Sequence, residues 1–213
     1  MPLALPSGTT RMRVLLDDQP CSTTATTIGE AVAAAADAAE KAGRLVIEVL
    51  VDGASLSEDD LQETSRLSNS ADEVQLVTTT MNELLRDTFV HAAEALADAD
   101  TVQKEAAEFI QSGRQSEGMQ SLLTSLETWG GIRDAVVKGL ALAGISPEDV
   151  TIEGIALPDA IGRLQVRLGG LKEAMVANDV SATCDCLLYD LPESTAEWRT
   201  ILAGLATQFS SEA

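Results

Sequence analysis

The chain has 213 residues, with 34 acidic side chains against 14 basic ones and a formal net charge of −20. A field of that sign repels phosphate backbones and anionic headgroups, so no nucleic-acid or membrane partner is expected, whereas a basic protein partner fits the charge. No stretch approaches the roughly 20 consecutive apolar residues of a membrane span, and the three cysteines are an odd set rather than a disulfide framework.

Reduced thiols and a cytoplasmic setting follow as expectations. Aromatic residues make up only 3% of the chain, so the core must be built from Leu, Val, Ile and abundant Ala. Alanine combines high helix propensity with a small side chain, which favours closely packed helices.

Taken in chain order, residues 1–11 read as a flexible leader, and order is expected from Met12. "RMRVLLDDQP" (11–20) is a short strand ending in a turn, and the Thr-rich "CSTTAT" (21–26) is its expected hairpin partner. Thr27 and Glu30 have capping-box spacing ahead of "IGEAVAAAADAAEKAG", a helix that should stop at Gly43. "RLVIEVLVDG" (44–53) alternates two largely apolar faces and reads as a central strand. Ser57 with Asp60 opens a short helix, and "DEVQLVTTT" (72–80) is a last strand. The order strand, strand, helix, strand, short helix, strand over residues 12–80 resembles a β-grasp layout in topology.

After Thr80 the pattern turns helical. Leu85, Phe89, Ala92, Leu96 and Ala99 recur at steps of three and four, continuing through Ala106 and Ile110 to a stop at Gly113. Met119, Leu122, Leu126, Trp129, Val136 and Leu140 form a second stripe, ended by Gly144. Residues 150–157, "VTIEGIAL", read as either loop or extended chain. Pro158 and Asp159 start a third helix through Met175, and a fourth region runs from Val180 to Phe209, interrupted at Pro192. The fold class expected is therefore α+β: a small N-terminal β-grasp-like domain with a mixed sheet and one main helix, then an antiparallel bundle of four to five helices over 81–213.

Chemistry is sparse in this pattern. "TCDCLLYDLPE" (183–193) has the look of a metal or redox site. At 100° per residue, however, Cys184 and Cys186 lie about 200° apart on a helix and cannot share an ion. Cys184 should be buried beside Leu187, and Cys186 should sit on another, more exposed face. His91 is the single histidine, so the chain cannot supply two His ligands to a zinc ion. Neither "SGRQSEG" (112–118) nor "KGLALAG" (138–144) has phosphate-loop spacing. No cofactor and no catalytic residue is predicted.

Two pairs, Gly130-Gly131 and Gly169-Gly170, interrupt apolar helical patterns, and each Gly costs about 0.5–1 kcal/mol there. They are expected at a helix crossing, a kink or an interaction surface. Trp129 and Trp198, the only tryptophans, are the expected anchors of the bundle. The function expected is a non-catalytic, self-associating acidic interaction module: an adaptor, chaperone-like or assembly factor. The alternative is a small-molecule binder or enzyme with a site between the two domains.

Overall fold

A computed structural model describes residues 12–210. The predicted leader at 1–11 lies outside the described residues. The fold is α+β, and the chain divides into two compact units between Met81 and Asn82.

In the first unit, β1 (Arg13–Leu16) turns through Asp17 and Asp18, both at positive φ (48° and 63°), into β2 (Gln19–Pro20). The hairpin partner is thus Gln19–Pro20 and not the Thr-rich run after it, which forms no strand. The two-residue turn closes the hairpin at once, because short polar Asp side chains tolerate the left-handed conformation. Thr78 donates both its N–H (2.7 Å) and its hydroxyl (2.5 Å) to the Asp17 carboxylate. Those bonds, above all the hydroxyl, hold the Asp17 carboxyl below the usual range, with Arg44 assisting.

The main helix α1 (Ile28–Lys41) starts where the sequence places it: Thr27 accepts from the Glu30 N–H, and the Glu30 carboxylate accepts from Thr26. β3 (Leu45–Val51) and β4 (Ala54–Ser55) form a second hairpin. α2 (Glu58–Gln62) and α3 (Thr64–Leu67) lead to β5 (Glu73–Thr79). The sheet order is β2-β1-β5-β3-β4, with β1 and β5 parallel and every other pair antiparallel. A mixed sheet with one main helix is what the sequence led one to expect of this unit.

The central strand is β5 rather than β3. A β-bulge between Val46 and Glu48 breaks the alternation of β3 and leaves Ile47 exposed. One face of the sheet closes over α1: Val14, Val49, Val74 and Leu76 pack with Ile28, Ala31 and Ala35.

The second unit opens with the long helices α4 (Met81–Gln111) and α5 (Gln115–Leu142). They are joined by a left-handed Gly113 (φ 81°). A short hairpin follows, β6 (Thr151–Ile152) and β7 (Ile155–Ala156), turning through Glu153 and Gly154. Then come α6 (Leu157–Val176), α7 (Val180–Asp185) and α8 (Leu191–Gln208).

Side-chain pairs set the directions. Gly118 abuts Ile110 and Ala106 while Gly139 abuts Phe89 and Leu85, so α4 and α5 are antiparallel. Trp129 meets Trp198 and Phe89 meets Phe209, so α8 runs parallel to α5. Arg163 pairs with Glu197 and Arg167 with Glu193, so α6 and α8 are antiparallel. Four helices therefore run up and down, in keeping with their short connections.

Between α7 and α8 the helix does not break at Pro192. Residues Cys186–Asp190 form a π-turn in which the Leu191 N–H bonds back to the Cys186 carbonyl, five residues earlier. Pro192 is the cause: it has no N–H to return to Leu188, and its ring crowds that carbonyl, so the turn widens and the helix goes on.

The glycines give a sharp stability contrast. A Cβ on Gly139 would lie 2.9 Å from Phe89 Cζ, and one on Gly118 would lie 2.6 Å from Ile110 Cγ1. A Cβ on Gly204 would overlap the Ile152 side chain. Alanine at Gly139, Gly118 or Gly204 is expected to cost about 1–3 kcal/mol through overpacking. Nothing lies within 4 Å of a Cβ at Gly130, Gly131, Gly169 or Gly170. Alanine at each of those four is expected to stabilise by about 0.5–1 kcal/mol. Urea denaturation of the seven single variants checks both signs.

Candidate functional site

The expectation that Gly130-Gly131 and Gly169-Gly170 mark a close helix crossing is overturned. No side chain or backbone of another helix comes within 4 Å of a Cβ at any of the four. The close approaches fall instead at Gly118, Gly139 and Gly204, where large neighbours need the missing side chain. Gly169 and Gly170 stand on α6 against open space. Gly131 lines a shallow groove between α4 and α5 with Thr88, His91 and Ala135. His91 is exposed there, and no carboxylate or cysteine lines that groove with it.

Three of the predicted residues do converge. Trp129, Gly130 and Trp198 line one cleft of about 380 Å3 between α5 and α6. The two indoles are buried, meeting edge to face with ring centroids 6.0 Å apart and planes at 90°. That arrangement sets the positive edge of one ring against the negative face of the other. Leu126 and Val137 of α5 face Ile161, Leu164 and Leu168 of α6 across the opening, and Arg133 and Gln165 supply its polar groups. Both helices continue past it to a second cleft of about 410 Å3, whose apolar lining is Ile110, Met119, Met175 and Val180.

The sequence pattern explains why this face stays open. The core stripe of α5 is Leu122, Ser125, Trp129, Ile132 and Val136. A second series, Met119, Leu123, Leu126, Gly130, Arg133 and Val137, advances in steps of four and three and lies about a quarter-turn away. Met119 is 42% exposed, Leu123 50% and Val137 52%. Sequence reasoning merged Met119 with the core stripe and gave Leu123 and Val137 no role. The readable signal was the second heptad series, which one helix with a single buried face does not need.

No family model, no curated protein and no solved structure matches this chain.

The cysteines follow a different rule from the one the helical wheel gave. Cys184 is buried as expected, but Cys186 is buried too, at 8% exposure. The segment is wedged among other helices, and one cluster joins both cysteines to Ala107 and Ile110 of α4, Leu122 of α5 and Leu171 of α6. Opposite faces of one helix are thus both covered. Burial pushes both thiols up from their ordinary range, and Asp190 and Asp185 add to the effect at Cys186. Among the described residues no group of three or more His, Cys, Asp or Glu is placed to hold a metal ion.

Thiolate is the reactive form. Brief alkylation of the native protein is therefore expected to label the partly exposed Cys21 and spare Cys184 and Cys186. Peptide mass spectrometry reads this directly, and labelling of all three should follow only after unfolding.

Deeper in the bundle, Gln103 is wholly buried on α4, and neither end of its amide has a hydrogen-bond partner. Ser125 Oγ and Thr195 Oγ1 are buried and unpartnered as well, as are the two indole N–H groups. The antiparallel match of Gly118 with Ile110 and Gly139 with Phe89 brings Gln103 level with Ser125. The match of Trp129 with Trp198 brings Thr195 near the same level. A polar layer thus interrupts an otherwise apolar core. Among the described residues no helix is long and apolar enough to cross a membrane.

Proposed function

We propose that this protein is a non-catalytic, acidic interaction module that acts through its helical unit. The observation that carries this reading is the second heptad series of α5. Met119, Leu123 and Val137 stay substantially exposed beside a cleft floored by Trp129 and Trp198, in a chain of net charge −20. An acidic protein gains nothing in solubility from an apolar strip along a helix, and strips of this kind mark docking faces. The helical surface offers what an adaptor, chaperone-like or assembly factor needs: a rigid groove lined by side chains at the period of a partner helix.

The test is a double substitution, Leu123→Asp with Val137→Asp. Both positions already face solvent, so helical circular dichroism should be unchanged. Self-association, and capture of any physiological partner, should be lost. Unchanged association in both assays would sink the reading.

A second reading rests on the cleft itself. Its volume of about 380 Å3 falls in the range of about 300–1,000 Å3 typical of small-molecule sites. Arg133 and Gln165 would orient an apolar ligand carrying an anionic or hydrogen-bonding end. Trp129 and Trp198 are the only tryptophans, so quenching or shift of their fluorescence on titration with decanoate would support it. A flat titration would remove it.

A further inference from the structure

Two hydrogen-bond donors with free N–H groups line the cleft between α5 and α6, one on each wall. Arg133 donates Nε–H and Nη2–H to the neighbouring Asp134 (3.1 and 2.8 Å), which leaves Nη1 without a partner. That pair is solvent-exposed on both sides, and such pairs cost little to open. Gln165 is exposed, and among the described residues its amide has no hydrogen-bond partner. None of the residues lining the cleft is acidic, although the chain carries 34 acidic side chains.

Helix direction brings the two donors to one level. Trp198 touches Trp129 and its neighbour Glu197 pairs with Arg163, so Gly130 stands level with residues 161–163 of α6. A helical side chain leans toward the N-terminus of its own helix. Because α5 and α6 are antiparallel, Arg133 leans back over Gly130 while Gln165 leans back over Ile161. The two side chains thus approach the same level from opposite ends. Gly130 keeps that level clear, since nothing lies within 4 Å of a Cβ there. From this point the apolar lining runs one turn to Leu126 on α5 and through Leu164 and Leu168 on α6, in the same direction.

We infer that the α5–α6 cleft binds an apolar monocarboxylate, its carboxylate held over Gly130 by Arg133 Nη1 and the Gln165 amide, its tail laid along Leu126, Leu164 and Leu168. This rests on the small-molecule reading of the cleft and names the ligand class and its orientation. A carboxylate makes a charge-assisted bond with the guanidinium, stronger than a neutral pair. A second acid group further along the ligand would press its charge against leucine, which is costly. The net charge of −20 opposes any anion at a distance, but salt at about 0.15 M screens exposed charges beyond about 8 Å.

The test is titration with decanoate and with decanol, an uncharged probe with a similar tail. Tryptophan fluorescence is the signal, in salt at about 0.15 M, and the thermal midpoint of each variant controls for folding. Arg133→Gln is expected to weaken decanoate about tenfold and to leave decanol unchanged. Gly130→Leu is expected to abolish binding of both probes, with the midpoint unchanged or raised, because its side chain would occupy the open position.

Decanoate binding that Arg133→Gln weakens no more than it weakens decanol would overturn the carboxylate and its orientation, while the small-molecule reading would stand. Binding indifferent to Gly130→Leu would put the ligand at another site and overturn the inference. A flat wild-type titration would remove the inference and the small-molecule reading together, and leave the interaction-module reading to its own test.

Discussion

Trp198→Ala is expected to lower the unfolding free energy of the helical unit by about 3–5 kcal/mol, among the largest losses a single truncation produces. Trp198 is 2% exposed, stands edge to face with Trp129, and closes the floor of the α5–α6 cleft. Few aromatic side chains share its work, since the chain has two Trp, one Tyr and three Phe. The surrounding structure relaxes only partly after such a truncation, so much of the cavity would persist. Trp198→Phe should cost far less. It keeps an aromatic ring at the site and removes an indole N–H that has no acceptor. Urea denaturation followed by far-ultraviolet circular dichroism measures both, and the alanine variant lying within about 1 kcal/mol of wild type would contradict Trp198 as the anchor.

Gln103→Leu is expected to act in the opposite direction, raising stability by about 1–3 kcal/mol. Leucine has nearly the same volume and better helix propensity, and it releases two buried polar groups that have no hydrogen-bond partner. Ser125→Ala, at the same level of the bundle, should do the same on a smaller scale. If Gln103→Leu destabilises, the amide is satisfied in solution and the layer contributes stability directly. A more stable variant that binds its partner less well or samples more than one oligomeric state would give the polar layer a role in fixing helix register, at a cost in stability. Denaturation and sedimentation on the same samples separate these results.

The two expectations concern the same helices from opposite sides. The Trp129–Trp198 contact supplies packing from the two largest side chains of the bundle. The Gln103 layer withholds packing about one turn away. A core made so largely of alanine and leucine offers few features that distinguish one helix register from the next. One large aromatic contact and one polar layer are the features that do.

Much of the architecture was legible in the residues. Both helix starts form where they were read: Thr27 accepts from the Glu30 N–H, though the Glu30 carboxylate turns to Thr26 and leaves that box half closed, and Ser57–Asp60 closes a full capping box, because a cap depends on residues three apart and on nothing distant. Helices end at Gly43, Gly113 and Gly144, where the left-handed conformation is needed. The stripe from Leu85 to Ile110 is buried along its length, since period 3.6 is a property of the chain itself. The hairpin partner of β1 was misplaced because Asp17-Asp18 makes a two-residue turn without glycine, and turn chemistry of that kind is weakly marked in sequence.

What the sequence alone determined is the set of local choices: which segments are helix or strand, where they start and stop, and which face of each is apolar. Those choices depend on backbone propensity and on neighbours within about four residues, so they are written in short words of the chain. What only the tertiary structure decided is which faces are covered. Cys186 is buried on the face a helical wheel leaves open, because another helix packs there. Gly139 and Gly204 are the crowded glycines, while the conspicuous pairs face space, because Phe89 and Ile152 arrive from segments 50 residues away or more. The second apolar series of α5 stays half bare because α5 and α6 leave a cleft between them. Burial belongs to pairs of surfaces, and a single strand of sequence carries only one surface of each pair.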